Sequence, residues 1–159
     1  MMDTIFAKPP RRRSEHYALI RDVEGAVLAV ATTYQNGLVL PGGPAEANEL
    51  PHFAARRHVE TVTGLVLPLR QVAAIDYTEA HLFPERLTLV FDGGVATLDE
   101  VALVQQHLPP DDIKLLHWVE PRDIPILMQS DHARLVEQAV NALDRRASLP
   151  LLLHGASAS

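Results

Sequence analysis

Residues 40–65 read LPGGPAEANELPHFAARRHVETVTGL, and they restrict the fold more than any other stretch. A short apolar run (residues 37–40) leads into Pro41, Gly42 and Gly43, a turn that glycine keeps open to unusual backbone angles. A helical pattern follows. Pro51 suits the first helical position, where the missing N–H costs nothing. Ala55, Val59 and Val62 recur at the spacing of an apolar helix stripe. Gly64 then stops the helix, as glycine does just past a helix C-terminus. The unit is a strand, a glycine loop, a helix and a stop, which places the chain in the α/β class.

This stretch resembles the Nudix box. That motif runs Gly, five residues, Glu, seven residues, Arg-Glu-apolar, one residue, Glu-Glu, one residue, Gly-apolar. Laid on the chain without gaps, it is matched by Gly43, Glu49, Arg57, Val59, Gly64 and Leu65, with Leu40, Pro41 and Gly42 as the usual run into it. The resemblance implies a Nudix fold: an α/β/α sandwich around a curved mixed β-sheet. It also implies structural roles for three residues. Glu49 and Arg57 would tie the loop to the helix as an ion pair, and Gly64 would close the helix. Gly42 and Gly43 would lie against the ligand, with the Gly42 carbonyl open to a metal.

Three glutamates of the motif are absent; their places hold His58, Thr61 and Val62. In the family these carboxylates hold the divalent ions that activate water and bridge a diphosphate. Magnesium wants hard oxygen ligands in near-octahedral array. Valine offers no ligand, threonine a weak neutral one, and histidine a nitrogen suited to softer metals. Glu60 falls on the other side of the helix and is expected in solvent. The residues that point to the fold therefore argue against its usual chemistry.

Elsewhere the chain sets bounds. Its 159 residues suit one domain with its own core. Hydrophobic residues make up 47% but aromatic residues only 5%, so that core must be mostly aliphatic. The absence of cysteine excludes disulfides, thiolate metal sites and a cysteine nucleophile, and fits a cytoplasmic protein. A net charge of −6 argues against broad nucleic-acid binding and against anionic membranes. No apolar run approaches the length of a membrane span, and the N-terminus lacks the apolar core of a signal peptide.

In chain order, residues 1–15 read as a tail carrying three consecutive arginines, Arg11, Arg12 and Arg13, in solvent rather than on phosphate. Residues 16–146 form the expected Nudix domain, and residues 147–159 a second tail. Residues 16–21 and 26–32 read as a hairpin, and residues 38–40 as a short strand after the turn at Asn36 and Gly37. Residues 65–77 read as one bent strand or two short ones. Residues 76–84 read as a loop. Residues 86–92 alternate as a strand with one face well buried, ending in a turn at Gly93 and Gly94. Thr97 and Glu100 form the signature of a helix-capping box. Residues 113–119 read as a strand. Ser130 is positioned to cap the last helix, whose stripe of Leu135, Val136, Ala139, Val140 and Leu143 should pack on the sheet face opposite the box helix. The apolar run at 149–153 points to packing on the body or on a second copy, hence a homodimer.

Two functional classes follow. In the first, the protein resembles hydrolases of nucleoside diphosphate derivatives but has little or no such activity, and its pocket binds a nucleotide-like or phosphorylated ligand with no metal required. In the second, it is an active pyrophosphohydrolase using magnesium or manganese held by substitute ligands. The candidates for those ligands are Glu46, Glu79, His81 and Glu85 together with the Gly42 carbonyl, with Glu79 and Glu85 as the catalytic substitutes. A structural or interaction protein is the third class. Trp118 is the one tryptophan available as a stacking platform for a base.

Overall fold

The sheet is built around β1, which spans Arg12–Arg21. Residues 16–20 of this strand are buried on both faces, as in a strand covered by a layer on either side. After β1 the Asp22 carboxylate accepts hydrogen bonds from the amides of Glu24 and Ala26, each 2.9 Å long, and this turns the chain. The strand β2 (Val27–Thr32) returns antiparallel, pairing with β1 at Arg21 and Val27. The two strands then splay apart. The structure, a computed structural model, describes residues 10–146 together with the backbone of Leu151–Leu153 and Ala156–Ser157.

The segment 38–44 stitches the splayed hairpin together. Val39 exchanges both backbone hydrogen bonds with Val30, at 2.8 and 3.0 Å. A few residues on, β3 (Gly42–Pro44) lies antiparallel on Glu15, His16 and Tyr17 of β1. This close approach requires glycine. Gly42 has φ +152°, and a Cβ there would fall 2.2 Å from the His16 carbonyl oxygen and 2.6 Å from Tyr17 Cα.

Long-range pairing completes a mixed sheet. β5 (Glu85–Val95) runs parallel to β1, and β4 (Val72–Thr78) runs antiparallel to β5. β6 (Ile113–Val119) pairs with β2, while β7 (Leu151–Leu153) and β8 (Ala156–Ser157) extend the other edge. The order is β6-β2-β1-β5-β4-β7-β8, with β3 beside β1.

Helices cover both faces. On one, α1 (Pro51–Thr63) sets Ala55 and Val59 against Ala18, Ile20, Leu28 and Phe91, and α2 (Leu98–Gln106) adds Val104. On the other, a short turn (Pro121–Asp123) and α3 (Ile124–Leu127) lead into α4 (Ser130–Asp144). Its residues Ala133, Leu135, Val136 and Ala139 pack on Leu19, Val27, Ala29 and Val90. The protein is thus an α/β/α sandwich with α1 and α4 on opposite faces. The Thr97–Glu100 capping box is present, with both of its hydrogen bonds formed.

Several sequence expectations need correction. β1 begins at Arg12, not His16, because parallel pairing with β5 extends it: Arg12 and Arg13 oppose Glu85 and Arg86. The strand near the glycine loop lies at Gly42–Pro44 rather than at residues 38–40, which make only isolated bridges. Gly93 and Gly94 do not turn the chain; they sit inside β5, where a bulge shifts its register on β1. β5 is buried on both faces, since Thr88 and Val90 are as deeply covered as Phe91. β4 starts only at Val72, after an irregular stretch. Gln129, not Ser130, occupies the cap of α4, and it makes no side-chain cap bond. The expected apolar tail at 149–153 contributes the backbone of a strand at Leu151–Leu153. Its side chains, and residues 1–9, lie outside the described residues.

The Gly42 contact should be measurable. A Cβ at Gly94, also at positive φ (+73°), meets nothing within 4 Å, whereas at Gly42 it meets backbone. Gly94→Ala should cost about 1 kcal/mol from backbone conformation alone. Gly42→Ala should cost at least about 3 kcal/mol in urea unfolding, since backbone must move. Equal costs would show that the stitch yields easily.

Candidate functional site

A cleft of about 330 Å³ opens where β1 and β2 part. Gly42 and Gly43 form one wall, Tyr17 and Tyr34 another, and His58 and Thr61 of α1 close it off. Its size falls at the lower end of small-molecule sites.

The loop and helix are locked together by charge. Arg57 Nε donates to Glu49 Oε2 and its Nη2 to Oε1, both at 2.8 Å. This two-pronged geometry is the strong form of a carboxylate–guanidinium pair. Glu49 Oε1 also accepts from the Glu46 amide at 3.0 Å. The Arg57 bonds, then the Glu46 amide, hold the Glu49 carboxyl at about 2, well below the usual range. Hydrogen bonding to Glu49 raises Arg57 in turn. Gly64 ends α1 at φ +79°, and its amide donates to the Glu60 carbonyl at 2.8 Å. Glu60 is exposed.

His58, Thr61 and Val62 line the cleft, and His58 Nε2 and Thr61 Oγ1 are already hydrogen-bonded. His58 Nε2 donates to the Pro44 carbonyl at 2.8 Å. The His58 ring lies so close to Gly43 that a Cβ there would sit 2.7 Å from it. Thr61 Oγ1 donates to the Arg57 carbonyl at 2.8 Å. Val62 lines the cleft without a polar atom. This donor set does not fit magnesium or manganese. Among the described residues, no group of three His, Asp or Glu side chains is placed to hold a metal ion.

The substitute ligands are dispersed. Glu79 and His81 are exposed in the loop after β4. Glu85 is occupied elsewhere: Tyr77 Oη donates to it at 2.7 Å and Arg12 Nε at 2.8 Å, and these bonds lower its carboxyl in that order. Glu46 is largely exposed and lies 3.9 Å from Arg57. None of the four lines the cleft. Trp118 is also elsewhere. It packs against the α1-side core and borders a separate groove beside α2.

The carboxylates that do line the cleft are Glu15 and Asp112. Tyr17 Oη donates to Glu15 Oε2 at 2.9 Å; burial first, and then Glu15, raise this phenol and keep it a donor. Glu15 carries no sequence signal, and Asp112 carries only that of an acidic pair ahead of a strand. Glu15 lies in what reads as a tail, and Asp112 reads as a solvated acid before a strand. His132 was equally silent. It lies buried on α4 with its ring edge on Tyr17, the centroids 4.8 Å apart, and its Nδ1 accepts the Leu40 amide at 3.1 Å. Leu40 comes just before the glycine loop, so α4 anchors that loop from the opposite face of the sheet.

With this geometry in view, the fold can be compared with known proteins. The sequence matches no family model and no curated protein. Solved structures do match. The MutT protein of Methanosarcina mazei Go1 superposes with a TM-score of 0.67 at 18% identity, over 87% of this chain and 97% of that one. A Nudix hydrolase from Nitrosomonas europaea gives 0.67 at 20% identity, over 88% and 93%. NrtR from Shewanella oneidensis, complexed with a 27-mer DNA, gives 0.65 at 17% identity, over 83% of this chain and 62% of that one. A central mixed sheet between a glycine-loop helix and a C-terminal helix defines the class. The chain has the Nudix fold.

His132 gives this site a pH signature. Because Nδ1 accepts from Leu40, the ring is neutral. Burial, and then the positive charge of Arg86 on β5, depress its pKa to about 4, with Asp131 on α4 opposing. The unfolded chain would take up that proton near 6.5. Stability is therefore full above about pH 6.5 and falls as the pH drops toward 4, by roughly 3 kcal/mol. In His132→Asn, whose amide oxygen can still accept from Leu40, unfolding midpoints between pH 6.5 and 4 should lose most of this slope. An unchanged slope would place the titration on another group.

Proposed function

We propose that the protein binds a small nucleotide-like or phosphorylated ligand in the cleft beside the glycine loop, with little or no diphosphate hydrolysis. One observation carries this reading. The cleft-facing side of α1 presents His58, Thr61 and Val62, two of them hydrogen-bonded to backbone carbonyls, where an ion clamp would need carboxylates. Such a clamp contributes several kcal/mol of transition-state stabilisation, so its loss slows turnover by powers of ten. The elements that shape the cleft are kept, with Glu49 and Arg57 joined and Gly42 closely packed. The fold itself does not dictate hydrolysis: one structure that shares it is a complex with DNA.

An active enzyme with relocated ligands is less well supported, because Glu46, Glu79, His81 and Glu85 do not reach the cleft. Glu15 and Asp112 are the only carboxylates among its described lining residues, and Glu15 is already engaged by Tyr17.

The test is a hydrolysis panel of nucleoside diphosphate derivatives with magnesium and with manganese. It compares the natural chain with a variant carrying His58→Glu, Thr61→Glu and Val62→Glu. The natural chain should show no turnover above background, and the variant should exceed it by at least about a hundredfold. Robust turnover by the natural chain, lost in Glu15→Gln or Asp112→Asn, would overturn the reading.

A further inference from the structure

Glu15, Tyr17 and Gln35 line both the cleft and a second, smaller cavity of about 150 Å³. Unlike the cleft, it has cations on its lining, beside the carboxylates Glu15 and Asp131. The described lining of the cleft includes no lysine or arginine, only the carboxylates Glu15 and Asp112 as charged groups beside His58. The second cavity is lined by two guanidinium groups, Arg13 and Arg86, together with Thr88, Gln129 and His132.

These arginines are placed unfavourably unless something joins them. Arg13 and Arg86 are direct neighbours in the parallel register of β1 and β5, and like charges opposite one another destabilise a sheet. Glu15 is the carboxylate between them, but it stands 3.8 Å from Arg13 and 3.6 Å from Arg86, too far for hydrogen bonds. Among the described residues Arg86 Nε is buried without a hydrogen-bond partner and Arg86 Nη2 has a long 3.4 Å bond to Thr78, while Arg13 Nε donates to the Pro84 carbonyl at 3.4 Å and its guanidinium lies over the Phe83 ring. Asp131, also on the lining, is neutralised by Arg134 at 2.7 Å. His132 is held neutral by its bond from Leu40. Among the described residues, the two guanidinium groups have Glu15 as the carboxylate near both, and Arg86 Nε lacks an acceptor. A guanidinium fork in that state matches the oxygens of a phosphate or carboxylate.

We propose that the anionic end of the ligand is held by Arg13 and Arg86 in this second cavity, while its uncharged ring end lies in the cleft beside the glycine loop. This rests on the reading of the chain as a binder of small phosphorylated ligands and fixes the ligand's direction. With His58, Thr61 and Val62 supplying no ion clamp, phosphate beside Gly42 would face Glu15 and Asp112 without a compensating cation. A ring there meets Tyr17, Tyr34, Val39 and Ile113 instead.

The experiment is an NMR titration of the ¹⁵N-labelled full chain with pyrophosphate. It follows the Nε–Hε signals of Arg13 and Arg86 and the amides of Gly42 and Gly43. The arginine signals should move and saturate while the glycine amides stay still. Arg86→Gln should weaken the apparent affinity about tenfold, and so should Arg13→Gln, a variant at an exposed position that keeps the Arg86 contacts. Adenosine diphosphate should then move both sets of signals. If pyrophosphate moves Gly42 and Gly43 and leaves the arginines unchanged, the proposed direction is wrong and phosphate binding stands. If neither pyrophosphate nor adenosine diphosphate moves either set, both readings fall.

Discussion

The structure depends on the contact of Gly42 with β1. Two strands that leave a common turn would normally stay paired. Here they part after Arg21 and Val27, and each then needs other partners for its backbone. The segment 38–44 supplies them in sequence, first to β2 through Val39, then to β1 through Gly42, Gly43 and Pro44. It can cross only because no side chain stands between Gly42 and the backbone of His16 and Tyr17. The parting of the strands makes the cleft, and the crossing segment forms its wall. The same crossing brings Pro44 within reach of His58 and Arg57, so the position of α1 also follows from it.

α1 carries three separate sets of residues. Ala54, Ala55, Val59 and Thr63 are buried and decide whether the helix docks. Arg57, bound to Glu49, decides how the loop meets it. His58, Thr61 and Val62 lie on a third strip that faces the cleft. On this strip a substitution at the exposed Thr61 costs little packing, whereas His58 packs on Gly43 and donates to the Pro44 carbonyl. The fold can therefore persist while the chemistry of the cleft changes. A motif that mixes structural and chemical residues can be kept in one half and lost in the other.

That separation explains how much could be read from the sequence. Local signals were legible: Pro51 and Gly64 bound α1, Thr97 and Glu100 cap α2, and Glu49 and Arg57 stand eight residues apart and pair. Pairing between distant segments was not. Arg12 meets Glu85 across 73 positions, and no local pattern announces that an arginine run will join a sheet. The same blindness hid Glu15 and His132, whose roles come from neighbours on other strands and helices. It also placed Glu85 and Trp118 at a site they do not reach. Loop acids and a lone aromatic look functional until their actual partners, Tyr77, Arg12 and the α1-side core, are known.

Charge gives the cleft its direction. In a site floored by carboxylates, a divalent ion reverses the local sign and makes room for phosphate. His58, Thr61 and Val62 offer no such carboxylate, and Glu15 and Asp112 are the acidic side chains among the described lining of the cleft. An anion entering there would pay desolvation with no compensating cation. A few residues away, Arg13 and Arg86 stand side by side with one loosely held carboxylate between them. Such a pair weakens the sheet that carries it. Strain retained beside an open cavity, next to a buried donor without an acceptor among the described residues, would be relieved by an anionic ligand. The sheet position that costs stability in the free protein would therefore be the one to gain it back if an anion binds there.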